Sequence, residues 1–234
     1  MTAYASPRPR STLKLGNIGS ARFATHPARR ARTLARQVVL RDGSTVLLQQ
    51  IGAADGPLLL DGFARLSAES RQARFLIRKD ELTEAEVRYF TDVDHHDHEA
   101  IVALSAADGC GVGVARFVRA VDDDQAAEVA VTVVDDWQRR GLGGVLLRQL
   151  RERALQEDIQ RFTALIDDTN TAMLGLLRSL GVQPRVIDRE FGATQYSISI
   201  DGAPEQSTFA RRHIQQPVRR RATSGGRTRA ADGA

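Results

Sequence analysis

Residues 131–147 read Val-Thr-Val-Val-Asp-Asp-Trp-Gln-Arg-Arg-Gly-Leu-Gly-Gly-Val-Leu-Leu. The stretch begins with β-branched residues that favour a strand, passes through a glycine-rich turn, and continues with apolar residues at helical spacing. Glycines let the backbone of such a turn approach a ligand closely and adopt φ angles that a Cβ disfavours. The free N–H groups and the positive dipole end of the following helix attract anionic oxygens. We therefore predict that the turn holds a phosphate group, such as the pyrophosphate of a nucleotide-containing cofactor.

Two familiar glycine motifs do not match this turn. A Rossmann fingerprint needs Gly-x-Gly-x-x-Gly with an acidic residue about twenty positions later, and a P-loop needs a lysine for the phosphates after its last glycine. Neither pattern is present. The turn instead resembles the acetyl-CoA signature of the GNAT superfamily of N-acetyltransferases, which is Gln or Arg, two variable residues, Gly, one variable residue, then Gly or Ala. It is read here as Gln138-Arg-Arg-Gly-Leu-Gly143. The alternative is an ordinary strand-turn-helix junction whose glycines serve packing alone.

The elements that follow the turn make the resemblance more specific. An amphipathic helix continues to about Leu155, a short apolar strand covers residues 162–166, and a second helix begins after Asp168 and ends at Leu180-Gly181. The resemblance implies the GNAT fold. This is an α/β (α+β) arrangement in which a mixed, mostly antiparallel twisted sheet carries helices on both faces.

The residues upstream of the turn resemble the GNAT domain of bacterial Pat-type protein lysine acetyltransferases, and the likeness covers about residues 38 to 200. The matching segments are 40–43, 65–71, 74–75, 82–86, 91–94 and 98–103. The residue pattern also predicts a hairpin over 38–51 that turns at Asp42-Gly43, and a hydrophilic loop at 122–125. It predicts helices over 53–66, 67–75 and 82–91, and strands over 101–104, 112–118, 127–134, 185–188 and 194–200.

The charge of the chain is distributed unevenly. Residues 1–36 contain eight basic and no acidic residues, residues 203–234 contain seven arginines and two acids, and 18 basic and 27 acidic residues lie between them. Neither basic segment has apolar periodicity, so we predict a disordered basic arm over 1–36, a GNAT acetyltransferase domain over 37–202, and a disordered basic tail over 203–234. Such arms could make weak contact with nucleic acid.

The composition also limits the cellular location of the protein and the kinds of site that it can contain. No run of eighteen apolar residues exists, which predicts no membrane partner, and the N-terminal region has no apolar core of a signal peptide. Cys110 is the only cysteine, so a disulfide within the chain and a cysteine-rich zinc site are excluded. We predict a cytoplasmic protein. Asp94-His-His-Asp-His98 contains metal-ligand residue types, but family members have a similar loop, and no metal is predicted.

The family resemblance implies where acetyl-CoA would bind. In the GNAT fold, backbone amides of the signature contact the cofactor pyrophosphate. The strand before the signature splays from its neighbour, and its free amides pair with the pantetheine and polarise the thioester carbonyl. An asparagine that opens the second helix contacts the cofactor arm. By this resemblance the cofactor-binding residues are Val131, Thr132, Val133, Gln138, Arg139, Arg140, Gly141, Leu142, Gly143, Gly144 and Asn170.

Acetyl transfer to an amine needs a general base that removes the amine proton, and Glu128 is our candidate. It lies ten residues before Gln138, where many family members place a catalytic glutamate. Because residues 129–131 are apolar, we expect the Glu128 carboxylate to be partly desolvated and therefore a stronger base. The alternative is a surface glutamate in a salt bridge. Asp135 and Asp136 are expected to cap the turn and the following helix.

The acceptor and the proton donor are less tightly specified. Many GNAT enzymes have a tyrosine seven residues after the asparagine that opens the second helix, but this chain has Leu177 there, so water is expected to protonate the leaving thiolate. We predict an acetyl-CoA-dependent N-acetyltransferase that transfers directly to an amine, with protein lysine favoured as acceptor. The alternatives are a small-amine acetyltransferase acting on a polyamine, antibiotic or amino acid, and a non-catalytic CoA-sensing or nucleic-acid-associated module that uses the basic arms.

Overall fold

The computed structural model describes residues 36–202 with the exception of Val182 and Phe191. The predicted arms, apart from Arg36, lie outside the described residues, so their disorder and their contact with nucleic acid stay predictions. The cytoplasmic location also stays a prediction. Within the described part of the chain, no helix is long and apolar enough to cross a bilayer.

The described residues form one eight-stranded sheet with the strand order β1-β2-β3-β4-β5-β6-β8-β7. All neighbouring strands are antiparallel except β5 and β6, which are parallel. The predicted mixed, mostly antiparallel sheet is therefore confirmed. The strands are β1 (Arg36–Val39), β2 (Thr45–Gln50), β3 (His98–Ser105), β4 (Gly111–Ala120), β5 (Asp123–Val133), β6 (Arg161–Asp167), β7 (Arg185–Glu190) and β8 (Ala193–Ser199).

The third predicted helix begins with a reciprocal pair of capping hydrogen bonds. Thr83 accepts a hydrogen bond from the Glu86 N–H (3.2 Å), and the Glu86 carboxylate accepts one from the Thr83 N–H (2.9 Å), so a capping box marks the start of this helix. The five α-helices of the described residues are α1 (Gly56–Ala64), α2 (Ala68–Phe75), α3 (Glu84–Thr91), α4 (Leu142–Gln156) and α5 (Thr171–Arg178).

The side chains of the sheet alternate between two covered faces. On one face Phe117 and Val129 pack against buried leucines of α4 and Leu177 of α5 in the main core. On the other face Val102 and Val114 line a pocket together with residues of α1, α2 and α3. Helices therefore cover both faces, as the resemblance implied.

One predicted loop is shorter than expected. Residues 122–125 were predicted as a hydrophilic loop, but β5 already begins at Asp123. The acidic residues extend the strand because neighbouring arginines satisfy them: Arg161 forms an ion pair with Asp123, and Arg119 donates to the Asp124 carbonyl oxygen. Periodicity alone could not show those partners, which come from β4 and β6.

Candidate active site

The two central strands β5 and β6 separate shortly after they meet. They pair over only three residues of β5, from Ala126 to Glu128, although β5 continues to Val133 along β4. Residues 129–133 therefore have β4 on one side and an opening on the other. This opening lies where the family resemblance implied that the strands splay.

The hydrogen-bond pattern of β5 shows which amides face the opening. The Val134 N–H donates to the Val112 carbonyl oxygen on the β4 side (3.1 Å). Because the direction of backbone groups alternates along an antiparallel strand, the N–H groups of Val131 and Val133 point away from β4. Thr132 differs from the expectation: its N–H is directed at β4, and its side chain lines the pocket under α1 to α3.

The signature turn leads directly from β5 into α4. Gly141 is the N-cap of α4 in a left-handed conformation with φ +89°, which glycine adopts without steric cost. The first helical bond runs from the Val145 N–H to the Gly141 carbonyl oxygen (3.2 Å). The N–H groups of residues 142–144 have no intrahelical acceptor and are available to an anion. Gly143 also has a packing role, since a Cβ there would lie 3.3 Å from Leu176 of α5.

The polar side chains of the signature have different partners. Arg140 pairs with Asp42 (3.1 Å), donates to the Asp136 carbonyl oxygen (2.6 Å) and lies 4.8 Å over the ring of Trp137, so it fixes the turn. Arg139 is exposed, and its guanidinium has no ionic partner within 4 Å in the described part of the chain. Its charge is therefore free to contact a phosphate.

Gln138 connects the turn to α2. Its side-chain amide donates to the Ser70 hydroxyl (3.1 Å) and to the Val133 carbonyl oxygen (3.2 Å). This contact ties the end of β5 to a helix on the opposite face from α4. The geometry gives Gln138 a role in positioning β5, beside any contact of its backbone with the cofactor.

Asp135 caps a different helix from the one expected. Its carboxylate accepts hydrogen bonds from the Ser67 N–H (2.9 Å), the Ser67 hydroxyl (2.8 Å) and the Ser70 hydroxyl (2.9 Å), so it supports the start of α2, whereas Gly141 caps α4. Burial would raise the pKa of Asp135, but these hydrogen bonds outweigh burial and lower the pKa below its usual 3.8. The expected cap on α4 is wrong because a segment 68 positions away supplies the donors.

Asp135→Asn should destabilise the fold by about 1–3 kcal/mol at neutral pH, since a charged acceptor of three part-buried donors is lost. The lowered pKa means that this contribution is complete above pH 3.8 and is lost as the pH falls towards the pKa of the folded state. Urea unfolding at several pH values measures it. Asp136→Asn is the matched control, because Asp136 is exposed. Equal stability of the two variants at pH 7 would contradict the assigned contact.

The structure shows the contacts of Asn170 and Leu177, the two positions at which the family resemblance implied a cofactor contact and a tyrosine. Asn170 is the N-cap of α5, and its side-chain oxygen accepts from the Met173 N–H (3.0 Å). Its side-chain NH₂ is left for a cofactor. Leu177 is fully buried in the core, so its position supplies packing and no proton donor.

Glu128 is exposed, and the expected desolvation is wrong. Successive side chains of a strand point to opposite faces. The buried neighbours Ala127 and Val129 therefore face α4, while Glu128 faces the side of α1 to α3. No cation lies within 4 Å of its carboxylate among the described residues, so the alternative of a salt-bridged surface glutamate is not what the geometry shows. Its charge acts on Arg74 and Tyr89 nearby.

The histidine-rich loop before β3 is held by carboxylates. His95 contacts Glu99 (2.8 Å), and His96 contacts Glu157 (2.5 Å). The Asp94 carboxylate accepts three backbone N–H groups of the same loop at 2.9 Å. Within the described residues, no three potential ligands are arranged to hold a metal ion. The contacts give these residues a structural role.

Two arginines near Glu128 were not found from the sequence. Arg116 in β4 is only 5% exposed, and Arg74 in α2 is partly buried. Both line an apolar pocket of about 70 Å³ between the sheet and α1 to α3. One sequence signal pointed to Arg116, which is the single charged residue in the apolar strand predicted over 112–118.

A comparison with protein families is decisive for the class of protein. The Acetyltransferase (GNAT) family model matches residues 64–182, which include the signature turn and Glu128. The chain belongs to the GNAT acetyltransferase family. Membership in this family confirms the predicted α/β GNAT fold, the predicted class of acetyltransferase and acetyl-CoA as the acetyl donor.

Several GNAT proteins are similar to this chain. Acetyltransferase Pat of Mycolicibacterium smegmatis is 36% identical over 145 residues, which are 62% of this chain and 43% of that protein. The chain thus spans less than half of that relative. The GNAT domain of S. lividans PAT has a TM-score of 0.66 and 27% identity, covering 70% of this chain and 96% of that domain. The structure of yncA from Salmonella typhimurium with its cofactor acetyl-CoA shares the fold (TM-score 0.52, 20% identity, 67% of this chain and 95% of that one).

Proposed function

We propose that the chain transfers the acetyl group of acetyl-CoA directly to an amine, with the side chain of a protein lysine as acceptor. The observation that carries the proposal is the opening between β5 and β6. The free amides of β5 and the Glu128 carboxylate lie along the strand that borders this opening. The N-terminus of α4 lies at the turn that follows the strand. A thioester and an amine can meet there.

The backbone would supply both the binding and the electrostatic stabilisation. The amides of residues 142–144 and the Arg139 guanidinium would contact the pyrophosphate. The N–H groups of Val131 and Val133 would pair with the pantetheine, and one of them would donate to the thioester oxygen. An oriented donor at a developing oxyanion contributes about 3–4 kcal/mol. Since the donors are backbone groups, no side-chain substitution removes them.

The proton transfers complete the reaction. Glu128 accepts a proton from the acceptor ammonium, directly or through one water molecule. The neutral nitrogen then attacks the thioester carbonyl carbon and the carbon–sulfur bond breaks. Glu128 releases the first proton to solvent, and the second proton that the nitrogen loses passes through water to the leaving thiolate. Leu177 cannot donate that proton, in agreement with its place in the core.

The choice of lysine rests on the likeness to Pat-type domains, in particular the 36% identity with acetyltransferase Pat. Mass spectrometry of candidate proteins incubated with acetyl-CoA and the full chain tests this choice. Acetylated lysines that are absent with Glu128→Gln support it. Acetylation of small amines alone would favour the small-amine alternative, and CoA binding without any transfer would favour a sensor.

A protein shortened to residues 37–202 should fold and keep the acetyltransferase rate of the full chain. The family match and the proposed site lie inside this range. Steady-state rates of both proteins with the same acceptor measure the effect. A shortened protein that folds and binds acetyl-CoA but has lost turnover would contradict the predicted domain boundaries. Salt-dependent DNA binding that only the full chain shows would support a nucleic-acid role for the arms.

A further inference from the structure

We propose that Arg74 and Arg116 bind a carboxylate that the acceptor carries close to its reacting amine. The pocket between the sheet and α1 to α3 would be the acceptor subsite, and the ligand would combine an anionic group with an apolar body. This inference rests on the proposed function, because it assigns the pocket beside Glu128 to the acceptor.

The first argument is the environment of Arg116. Its guanidinium lies 4.3 Å over the ring of Phe90, donates to the Phe90 carbonyl oxygen (3.3 Å) and is 3.2 Å from the His98 ring nitrogen. Burial, and then the charge of Arg116, lower the pKa of His98 to about 4, so His98 is neutral at pH 7. The partners of Arg116 therefore orient its guanidinium without neutralising its charge.

The second argument is the neighbouring cation. Arg74 lies in the last turn of α2, where its guanidinium is 5.0 Å from the ring centroid of Phe75 and 6.0 Å from that of Phe90. In the described part of the chain, neither Arg74 nor Arg116 has a carboxylate within 4 Å. Burial first, and then the charge of Arg74, lower the pKa of Arg116 to about 9.

Buried charges in proteins are normally paired. Glu128 is close enough to act on Arg74 but does not form an ion pair, and one carboxylate cannot match two guanidinium groups. Tyr89 is neutral at pH 7, since the pKa of a tyrosine is ordinarily about 10 and burial raises it further. The pocket thus has an excess of positive charge that a carboxylate would neutralise, and the planar fork of arginine suits a carboxylate in a bidentate contact.

The remaining lining defines the rest of the ligand. Most of it is apolar, and it includes Leu58, Phe63, Phe75, Phe90, Val114 and Val134. A ligand with an aliphatic or aromatic body fits this lining. A highly charged ligand such as a phosphorylated sugar would leave polar groups against apolar walls.

The register of the sheet places this subsite beside the proposed base. Arg116 pairs with Ala130, and Val118 pairs with Glu128, so Arg116 and Glu128 are diagonal neighbours on one face. Diagonal neighbours lie about 7–8 Å apart, a distance that one short ligand can span. One small acceptor, or one short stretch of a peptide, can therefore present a carboxylate to Arg116 and an amine to Glu128.

The carboxylate can be a free α-carboxylate or the side chain of an acidic residue beside a lysine, and two pairs of probes distinguish these two sources. The first pair is N-acetyl-L-leucine and N-acetyl-L-leucinamide, which test a free α-carboxylate without an amine. The second pair is the capped tripeptides Leu-Lys-Glu and Leu-Lys-Gln, which test an acidic residue beside a lysine. Calorimetry on the full chain without acetyl-CoA measures the affinities. We expect the acid of at least one pair to bind roughly 10- to 100-fold more tightly than its neutral partner.

Two substitutions test whether the arginines cause that preference. Arg116→Gln and Arg74→Gln should each reduce the ratio of the affinities for acid and neutral probe to within a few-fold of unity. The affinity for acetyl-CoA should stay unchanged. Arg88→Gln removes a charge from the exposed surface of α3 and should leave the preference intact. If Arg116→Gln fails to fold, Arg74→Gln and the probe pairs on the unaltered chain still decide.

Equal affinity for acid and neutral forms in both pairs would overturn the proposal, as would a preference that survives in folded Arg74→Gln. These measurements involve no acetyl transfer. Failure of the proposed function, seen as absence of transfer to every amine, is therefore distinguishable from failure of the carboxylate subsite.

Discussion

Gly141→Asp should weaken acetyl-CoA binding by more than about 100-fold while the protein stays folded. The new carboxylate would face the cofactor phosphates at the N-terminus of α4, and juxtaposed like charges cost several kcal/mol. The fold should tolerate the change, because the atoms nearest to a Cβ at Gly141 belong to the flexible Arg41 side chain, at 3.4 Å. Aspartate also tolerates left-handed φ better than most residues and is a favourable N-cap. Isothermal calorimetry with acetyl-CoA measures the affinity, and circular dichroism checks the fold.

Gly141→Asn is the matched control for this variant. It has the same shape and the same tolerance of a left-handed backbone but no charge, so the difference between the two variants isolates the electrostatic effect. We expect Gly141→Asn to weaken binding much less. A folded Gly141→Asp protein with unchanged affinity for acetyl-CoA would show that the pyrophosphate lies elsewhere.

Glu128→Gln should bind acetyl-CoA normally but lose on the order of 10²- to 10⁴-fold in turnover, the usual contribution of a general base. The amide has the shape of the carboxylate but cannot accept the proton. The deficit should shrink as the pH rises, since more of the acceptor amine is then already neutral. Steady-state rates with one acceptor between pH 7 and pH 10 measure both effects.

The control for Glu128→Gln is Glu69→Gln on α2, which removes an exposed carboxylate from the same side of the sheet. Its turnover and pH profile should match those of the unaltered chain. If Glu128→Gln also behaves like the unaltered chain, another residue or water alone removes the proton. The exposure of Glu128 makes this test informative, because a base that is open to solvent can act through a water molecule.

The exposure of Glu128 illustrates a limit of reasoning from neighbouring residues. Apolar residues flank it in the sequence, and they suggested an apolar environment. In a strand, however, flanking side chains point to the opposite face, and the environment of Glu128 is set by α2 and α3. The sequence could predict the position of the candidate base but not its surroundings.

The sequence by itself determined the order of the elements, the glycine turn at residues 138–144 and the family. These features are local. Glycine adopts the positive φ at position 141 without steric cost, the Thr83–Glu86 capping box lies within one turn, and hydrophobic periodicity repeats over a few residues. The prediction that acetyl-CoA binds at this turn comes from the same contiguous signature.

Only the tertiary structure decided which distant groups meet. Asp135 caps a helix that begins 68 positions earlier, and Arg74 and Arg116 share one pocket although they come from α2 and β4. Sheet register and helix packing bring such groups together, and both depend on the whole core. A short stretch of sequence shows the chemical type of each residue but not which distant residue lies beside it in the fold. The charge of a pocket depends on which residues lie beside one another.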